Sequence, residues 1–381
     1  MRNLLLSCAC AIACAFAASA SIGQALPEPV AEAPYDAANI SVAAARQVAD
    51  TAAQPTPPWS GPHNGPRAQP GKYIAIDAED LRNGGILGVV DGVVDAAKVI
   101  GWNVKIFNSE GQPDLRLKTL ANAFASRPDG LIVVGGDAQA LLPGLQPFAG
   151  RKLPIVGWHV APQAGPVRGT PVAMNVSTDP REVARVTALA AIAQSGGHPG
   201  VVIFTDSNFR VAQDKADAMA AVVRACKQCR LLEVRDVPIS RSEQLMPATT
   251  RELLARYGKR WSCALAINDI YFDYAVPVLT QAGLPTSAMV MLSAGDGSES
   301  AFLRVRTGTF QTGTVAEPLS LQGWQLVDEM NRLLAGEHVT DYVFPVHLVT
   351  AANVTADGGE RLVYDPANGY RDIYRRIWQR P

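Results

Sequence analysis

The sequence predicts an α/β fold of two lobes, each a parallel sheet flanked by helices. Two observations carry that expectation. From about residue 71 to 350, short apolar runs alternate with longer amphipathic ones. Such alternation is the pattern of strand–helix–strand units closing into a parallel sheet. The alternation is interrupted once, between Leu153 and Asp179, and then begins again. Two arrays joined by an extended stretch make two lobes with a cleft between them. A chain of 381 residues, 48% hydrophobic, is long enough for both cores, since a domain takes roughly 100–200 residues.

Taken in order, the chain opens with an export segment. Arg2 precedes the apolar run Leu4–Ala18, and Ala18-Ser19-Ala20 is a small-residue cleavage site, with Gly23-Gln24-Ala25 as the alternative. The signal peptide is therefore 1–20, extending to 25 on the second reading. Cys8, Cys10 and Cys14 do not stand at a lipid-acceptor position, so the exported product is read as soluble, with lipoprotein anchoring as the lesser alternative. Residues 26–70 are rich in Ala and Pro and read as an extended linker without a core.

The first array then runs strand Tyr73–Ile76, helix Gly84–Ile100, strand Val104–Phe107, helix Leu115–Ser126 and strand Gly130–Val134. A short helix at Ala138–Leu145 and strand Pro154–Trp158 complete it. After the crossover come helix Pro180–Gln194, capped by Thr178 or Asp179, and strand Val201–Phe204. Helix Val211–Ala225, strand Leu231–Val237, helix Ala248–Tyr257 and strand Ala264–Ile267 follow. Next are helix Tyr271–Gln281, strand Met289–Leu292, helix Ser298–Arg306 and strand Thr309–Val315. Helix Leu319–Leu334, ended by Gly336, and strand Val343–Val349 close the pattern. The expected lobes are 71–160 with 318–347, and 176–315 with 350–381, with hinges near 160–175, 315–318 and 347–351.

Composition removes several function classes. Thirty-four Lys and Arg stand against 35 acids, a formal charge of −1, so nothing points to nucleic acid. Gly84, Gly85 and Gly88 open a helix after a strand, but their spacing is not G-x-G-x-x-G, which disfavours a nucleotide-binding enzyme. No G-x-S-x-G elbow occurs, so a hydrolase is disfavoured too. No two of His63, His159, His198, His338 and His347 have metal-ligand spacing, and all but His159 read as surface or turn residues. No metal or cofactor is expected, and the chain is not read as an enzyme. In an exported chain, Cys226 and Cys229 at a helix end read as a local disulfide, worth about 2 kcal/mol for so small a loop. Cys263 reads as a buried thiol.

In open parallel sheets, ligands bind beyond the carboxyl ends of the strands. The residues there are polar and aromatic: Glu79 to Asn83, Asp137, Trp158-His159, Asp206 to Arg210, Asn268-Asp269, Asp296 and Glu317. Carboxylates and amides there hydrogen-bond hydroxyls, while aromatic faces stack on a sugar or planar ring. Asn83-Gly84-Gly85, Ala266-Ile267-Asn268-Asp269, Asp296-Gly297 and Val315-Ala316-Glu317-Pro318 resemble periplasmic solute-binding proteins of the ribose-binding, type I class, over roughly 71–350. The resemblance implies two Rossmann-like lobes, a three-segment hinge, and periplasmic delivery of a sugar-like solute to an ABC permease in the inner membrane. A receptor feeding a sensor protein is the alternative output; a monomer is expected in either case. By position the resemblance assigns ligand contacts to Asn268, Asp296 and Glu317, the last where the ribose-binding proteins usually carry Gln. Trp158-His159 replaces an Asp-Arg pair, and Gln213, with Arg210 nearby, stands at an arginine position. Asn83, Asp137 and Phe209 complete the expected ligand-binding set.

Overall fold

The computed structural model describes residues 40–379. The expected export segment and the first part of the linker lie outside the described residues. Helix α1 (Val42–Ala52) comes first. The first lobe then contains β1 (Tyr73–Ala78), α2 (Gly84–Ile100), β2 (Asn103–Asn108), α3 (Pro113–Ala125), β3 (Gly130–Val134), α4 (Leu142–Gly150), β4 (Ile155–Trp158) and β5 (Met174–Val176). The second contains α5 (Pro180–Gln194), β6 (Gly200–Thr205), α6 (Arg210–Ala225), β7 (Arg230–Asp236), α7 (Ser242–Tyr257), β8 (Cys263–Ala266), α8 (Ile270–Gln281), β9 (Val290–Ser293), α9 (Glu299–Thr307) and β10 (Gln311–Ala316). The chain ends with α10 (Leu319–Leu334), β11 (His347–Thr350), α11 (Val354–Gly358) and α12 (Tyr370–Gln379).

The first sheet has strand order β2-β1-β3-β4-β5 and is parallel throughout. The second, β11-β10-β9-β8-β6-β7, is parallel except for the antiparallel edge β10–β11. In each sheet the winding reverses beside its first strand, at β1/β3 and at β6/β8. Doubly wound sheets bind ligands at such switch points. The fully buried strands β3, β6 and β8 read as continuous apolar runs, as strands covered on both faces do.

The 26–70 segment departs from the expected linker, because the described part carries a helix. Ser41 caps α1 by accepting from Ala44 N at 3.1 Å, and Ala is the strongest helix former. α1 packs on α5 and β11 of the second lobe, while the following residues lie on the first. There Trp59 meets Tyr342 and Tyr374, Arg332 donates to Asn64 O at 2.6 Å, and Trp102 donates to Gln69 O at 2.6 Å.

The tail differs as well: α11 packs on the second lobe, but α12 packs on α10 and α2 of the first. Tyr370, Ile373, Tyr374, Ile377 and Trp378 recur at helical spacing and bury one stripe. Trp378 stacks on Trp324 at 5.5 Å and donates to Asp328 Oδ1 at 2.8 Å.

The crossovers lie at 177–179, 317–318 and 335–346, displaced from two of the expected positions. The three-residue strand β5 holds 174–176 in the first sheet, and β11 starts only at His347. The helix expected at Ala138 starts at Leu142 because Asp137 Oδ1 first accepts from Gln139 N and Ala140 N in a turn. His347, expected at the surface, is buried against Tyr364 with Nε2 2.8 Å from Asp357. Cys226 and Cys229 are joined by a disulfide at the end of α6, and Cys263 is a buried free thiol.

Candidate functional site

Both switch points open on one cavity between the lobes. From the first lobe come Glu79 and Asn83 after β1, Gly135 and Gly136 after β3, and Trp158 and His159 at the end of β4. From the second come Phe209, Val211, Ala212 and Lys215 around the start of α6, Asn268 after β8, and Asp296 after β9. The backbone is bent to bring them there. Gly135 and Gly136 take φ of +78° and +102°, and His159 takes +52°, a left-handed conformation that bulky residues adopt only when held. What holds His159 is visible: its ring stacks on Trp158 at 3.8 Å with planes 7° apart.

The cavity floor is a charged cluster. His159 Nε2 lies 3.0 Å from both carboxylate oxygens of Glu317. Gln322 donates to Glu317 Oε2 at 2.8 Å and accepts from Trp158 Nε1 at 2.8 Å. Lys215 Nζ donates to Ala294 O at 2.7 Å and lies 3.9 Å from Glu317 Oε1. Burial works against a charged Glu317, but His159, Lys215 and Gln322 outweigh it and hold the carboxyl down at about 2.

Asp296 is 5% exposed, and a Cβ on Gly85 would fall on its carboxylate. Burial pushes Asp296 up to about 6, with Glu317 and Asp269 adding to the rise and Lys215 and His159 opposing it. Glu79, half-buried at the cavity wall, is pushed up to about 7 by burial, with Asp206, Asp80 and Asp77 adding and Arg116 opposing. Among the described residues no hydrogen bond or ion pair within 4 Å reaches either the Glu79 or the Asp296 carboxylate. The amides of Asn83 and Asn268 use their oxygens on Gly85 N and Ile270 N at 3.0 Å, which leaves their NH₂ groups for a guest.

The expected set is divided by this geometry. Asn83, Trp158, His159, Phe209, Asn268 and Asp296 line the cavity. Asp137 and Arg210 do not; they bind each other across the lobes, Arg210 Nε to Asp137 Oδ2 at 2.6 Å and Nη2 to Oδ1 at 3.2 Å. Glu317 stands behind His159, outside the lining. Gln213 points away, exposed, and donates to Ser207 O. Trp158 is 2% exposed and already stacked, so the aromatic face left without a ring partner is Phe209. Two contributors were missed. Glu79 sat in the strand-end loop without being singled out. Lys215 carried a readable signal: it lies on the apolar face of α6 with Ala212, Ala216 and Met219, where a lysine must have a buried partner.

The sequence matches the family described as periplasmic binding protein domain over residues 74–338. Among curated proteins none matches. Several solved structures share the fold. A solute-binding protein of an ABC transporter from Agrobacterium vitis, with bound alpha-D-tagatopyranose, has a TM-score of 0.69 at 15% identity over 77% of this chain and 99% of its own. One from Mycobacterium smegmatis with bound glycerol reaches 0.67 at 17%, covering 77% and 99%. An ABC sugar transporter subunit from Rhodobacter sphaeroides reaches 0.64 at 22%, covering 74% and 99%.

Proposed function

We propose, from the premise that this chain belongs to the periplasmic binding protein domain family, that it is an exported protein whose lobes close on a small sugar-like solute and deliver it to an ABC permease. The observation that carries the reading is the cavity itself. Hydrogen-bonding side chains from the switch points of two sheets converge on one space, and the Asp137–Arg210 pair clasps the lobes over it. Hydroxyl-rich solutes bound to neighbours of the same fold support the class of ligand. Asn83, His159, Asn268 and Asp296 act as polar contacts and Phe209 as the stacking face. The crossovers at 177–179, 317–318 and 335–346 act as the hinge. Export by the N-terminal segment places the protein in the periplasm as a soluble monomer.

A thermal-shift screen over sugars and polyols tests the reading, since a ligand at about 100 times its Kd adds about 2.7 kcal/mol. A hit is expected to lower the radius of gyration in solution scattering. Stabilisation without compaction would remove lobe closure from the mechanism.

A further inference from the structure

The cavity has many acceptors and few free donors. No guanidinium lines it, and the two nearby in the fold are committed: Arg116 donates to Asp77 at 2.8 Å and Gly135 O at 2.7 Å, and Arg210 spends its fork on Asp137. Lys215 gives one donor to Ala294 O and faces Glu317, which also holds His159, and its charge favours an ionised Asp296 without a hydrogen bond to it. Asp206 accepts from Asn208 and Ile239, and Asp269 from Gly297, Ser298 and Gln311. Two carboxylates are left over, Glu79 from one lobe and Asp296 from the other, both lining the cavity without a hydrogen-bond donor. A carboxylate buried without a donor, as that of Asp296 is, is costly. A sugar hydroxyl offers one proton and brings acceptors of its own. An ammonium brings three donors, a positive charge and no acceptor.

We propose, resting on the sugar-binding reading above, that the preferred solute is a small polyhydroxylated amine, an amino sugar or amino polyol whose ammonium pairs with Asp296 and Glu79 while Asn83 and Asn268 take its hydroxyls. The hydroxyl-rich part satisfies the amides, and the cation balances the carboxylates the protein leaves unpaired. Charge-assisted hydrogen bonds are roughly twice as strong as neutral ones, which makes the amine the discriminating group.

The test is calorimetric titration with matched pairs: glucosamine and glucose, galactosamine and galactose, mannosamine and mannose, 1-amino-1-deoxysorbitol and sorbitol. At least one amine is expected to bind about ten-fold or more tightly than its hydroxyl partner. Asp296→Asn and, independently, Glu79→Gln are each expected to shrink that ratio, read beside the melting temperature of each unliganded variant. Two variants in different lobes keep the test decisive if one fails to fold. Neutral sugars binding as tightly as their amines would overturn the inference and leave the sugar-binding reading standing. Binding by neither member of any pair would overturn both.

Discussion

At Asp296 and Glu79 burial works against the charged carboxylate. Each binds its proton more tightly in the folded protein than at its ordinary value of 3.8 or 4.5, and buried Glu329, beside Thr340, is also raised, to about 7. A raised carboxyl contributes stability that is full below its unfolded pKa and is lost as pH rises through the folded one. The windows are therefore about 3.8 to 6 for Asp296 and about 4.5 to 7 for Glu79 and Glu329. Glu317 has the opposite sign, but its window, from about 4.5 down to 2, lies at lower pH. The unliganded protein is thus expected to melt at a higher temperature at pH 5 than at pH 8. A melting profile that rises from pH 5 to pH 8 would contradict the raised carboxyls. Lys215, 3% exposed, is the second residue-scale test. Lys215→Met keeps the stem but leaves Glu317 and Asp296 with less compensation, and breaking a buried charge cluster costs about 3 kcal/mol. Urea unfolding at pH 7 reads it; a variant as stable as the parent would show that His159 and Gln322 suffice.

Among the elements, α5 shows how local chemistry fixes the route of the chain. It begins immediately after the first crossover, where Asp179 accepts from Arg181 N at 2.9 Å and Glu182 N at 3.3 Å, and Pro180 stands at its first position. Asp179→Ala is expected to cost about 1 kcal/mol of stability. A shifted urea midpoint with an unchanged slope would report it, whereas a changed slope would mean the cap also holds the lobes' relation. α12 illustrates the complementary case. Its buried residues recur at helical spacing, but a stripe states that a face is buried and not which neighbour buries it. The wide hydrophobic surface of α10, with Trp324 at its centre, decides that.

For the whole molecule, the N-terminal arm links the lobes outside the three crossovers. α1 lies on α5 of one lobe, and Trp59 to Gln69 are fastened to the other through Tyr342, Arg332, Asn331 and Trp102. Such a strap restrains separation of the lobes in proportion to how firmly both ends are held. Removing residues 40–68 is therefore expected to raise the unliganded radius of gyration and lower the melting temperature. Solution scattering that matches the parent would make the strap a covering and not a restraint.

How far the sequence reached follows from the range of the forces involved. Alternation of apolar runs is a local property, so both parallel arrays were legible, as was the ring of polar residues at the strand ends, whereas α1, β5, α11 and α12 were not. A cap at Thr178 or Asp179 and the Cys226–Cys229 pair, separated by three positions, were legible for the same reason, and the structure selects Asp179. Three things were not local. The Ala-rich segment at 42–52 reads as a linker until α5 supplies the surface that its helix covers. Asp137 and Arg210, 73 positions apart, both look like ligand contacts until the lobes meet and each satisfies the other. Lys215, Glu317 and His159 come from three separated parts of the chain, and their charges acquire meaning only in a shared low-dielectric space. The sequence by itself determined which residues stand at the strand ends. The tertiary structure decided which of them are already paired, because pairing depends on distances between segments that local patterning does not encode.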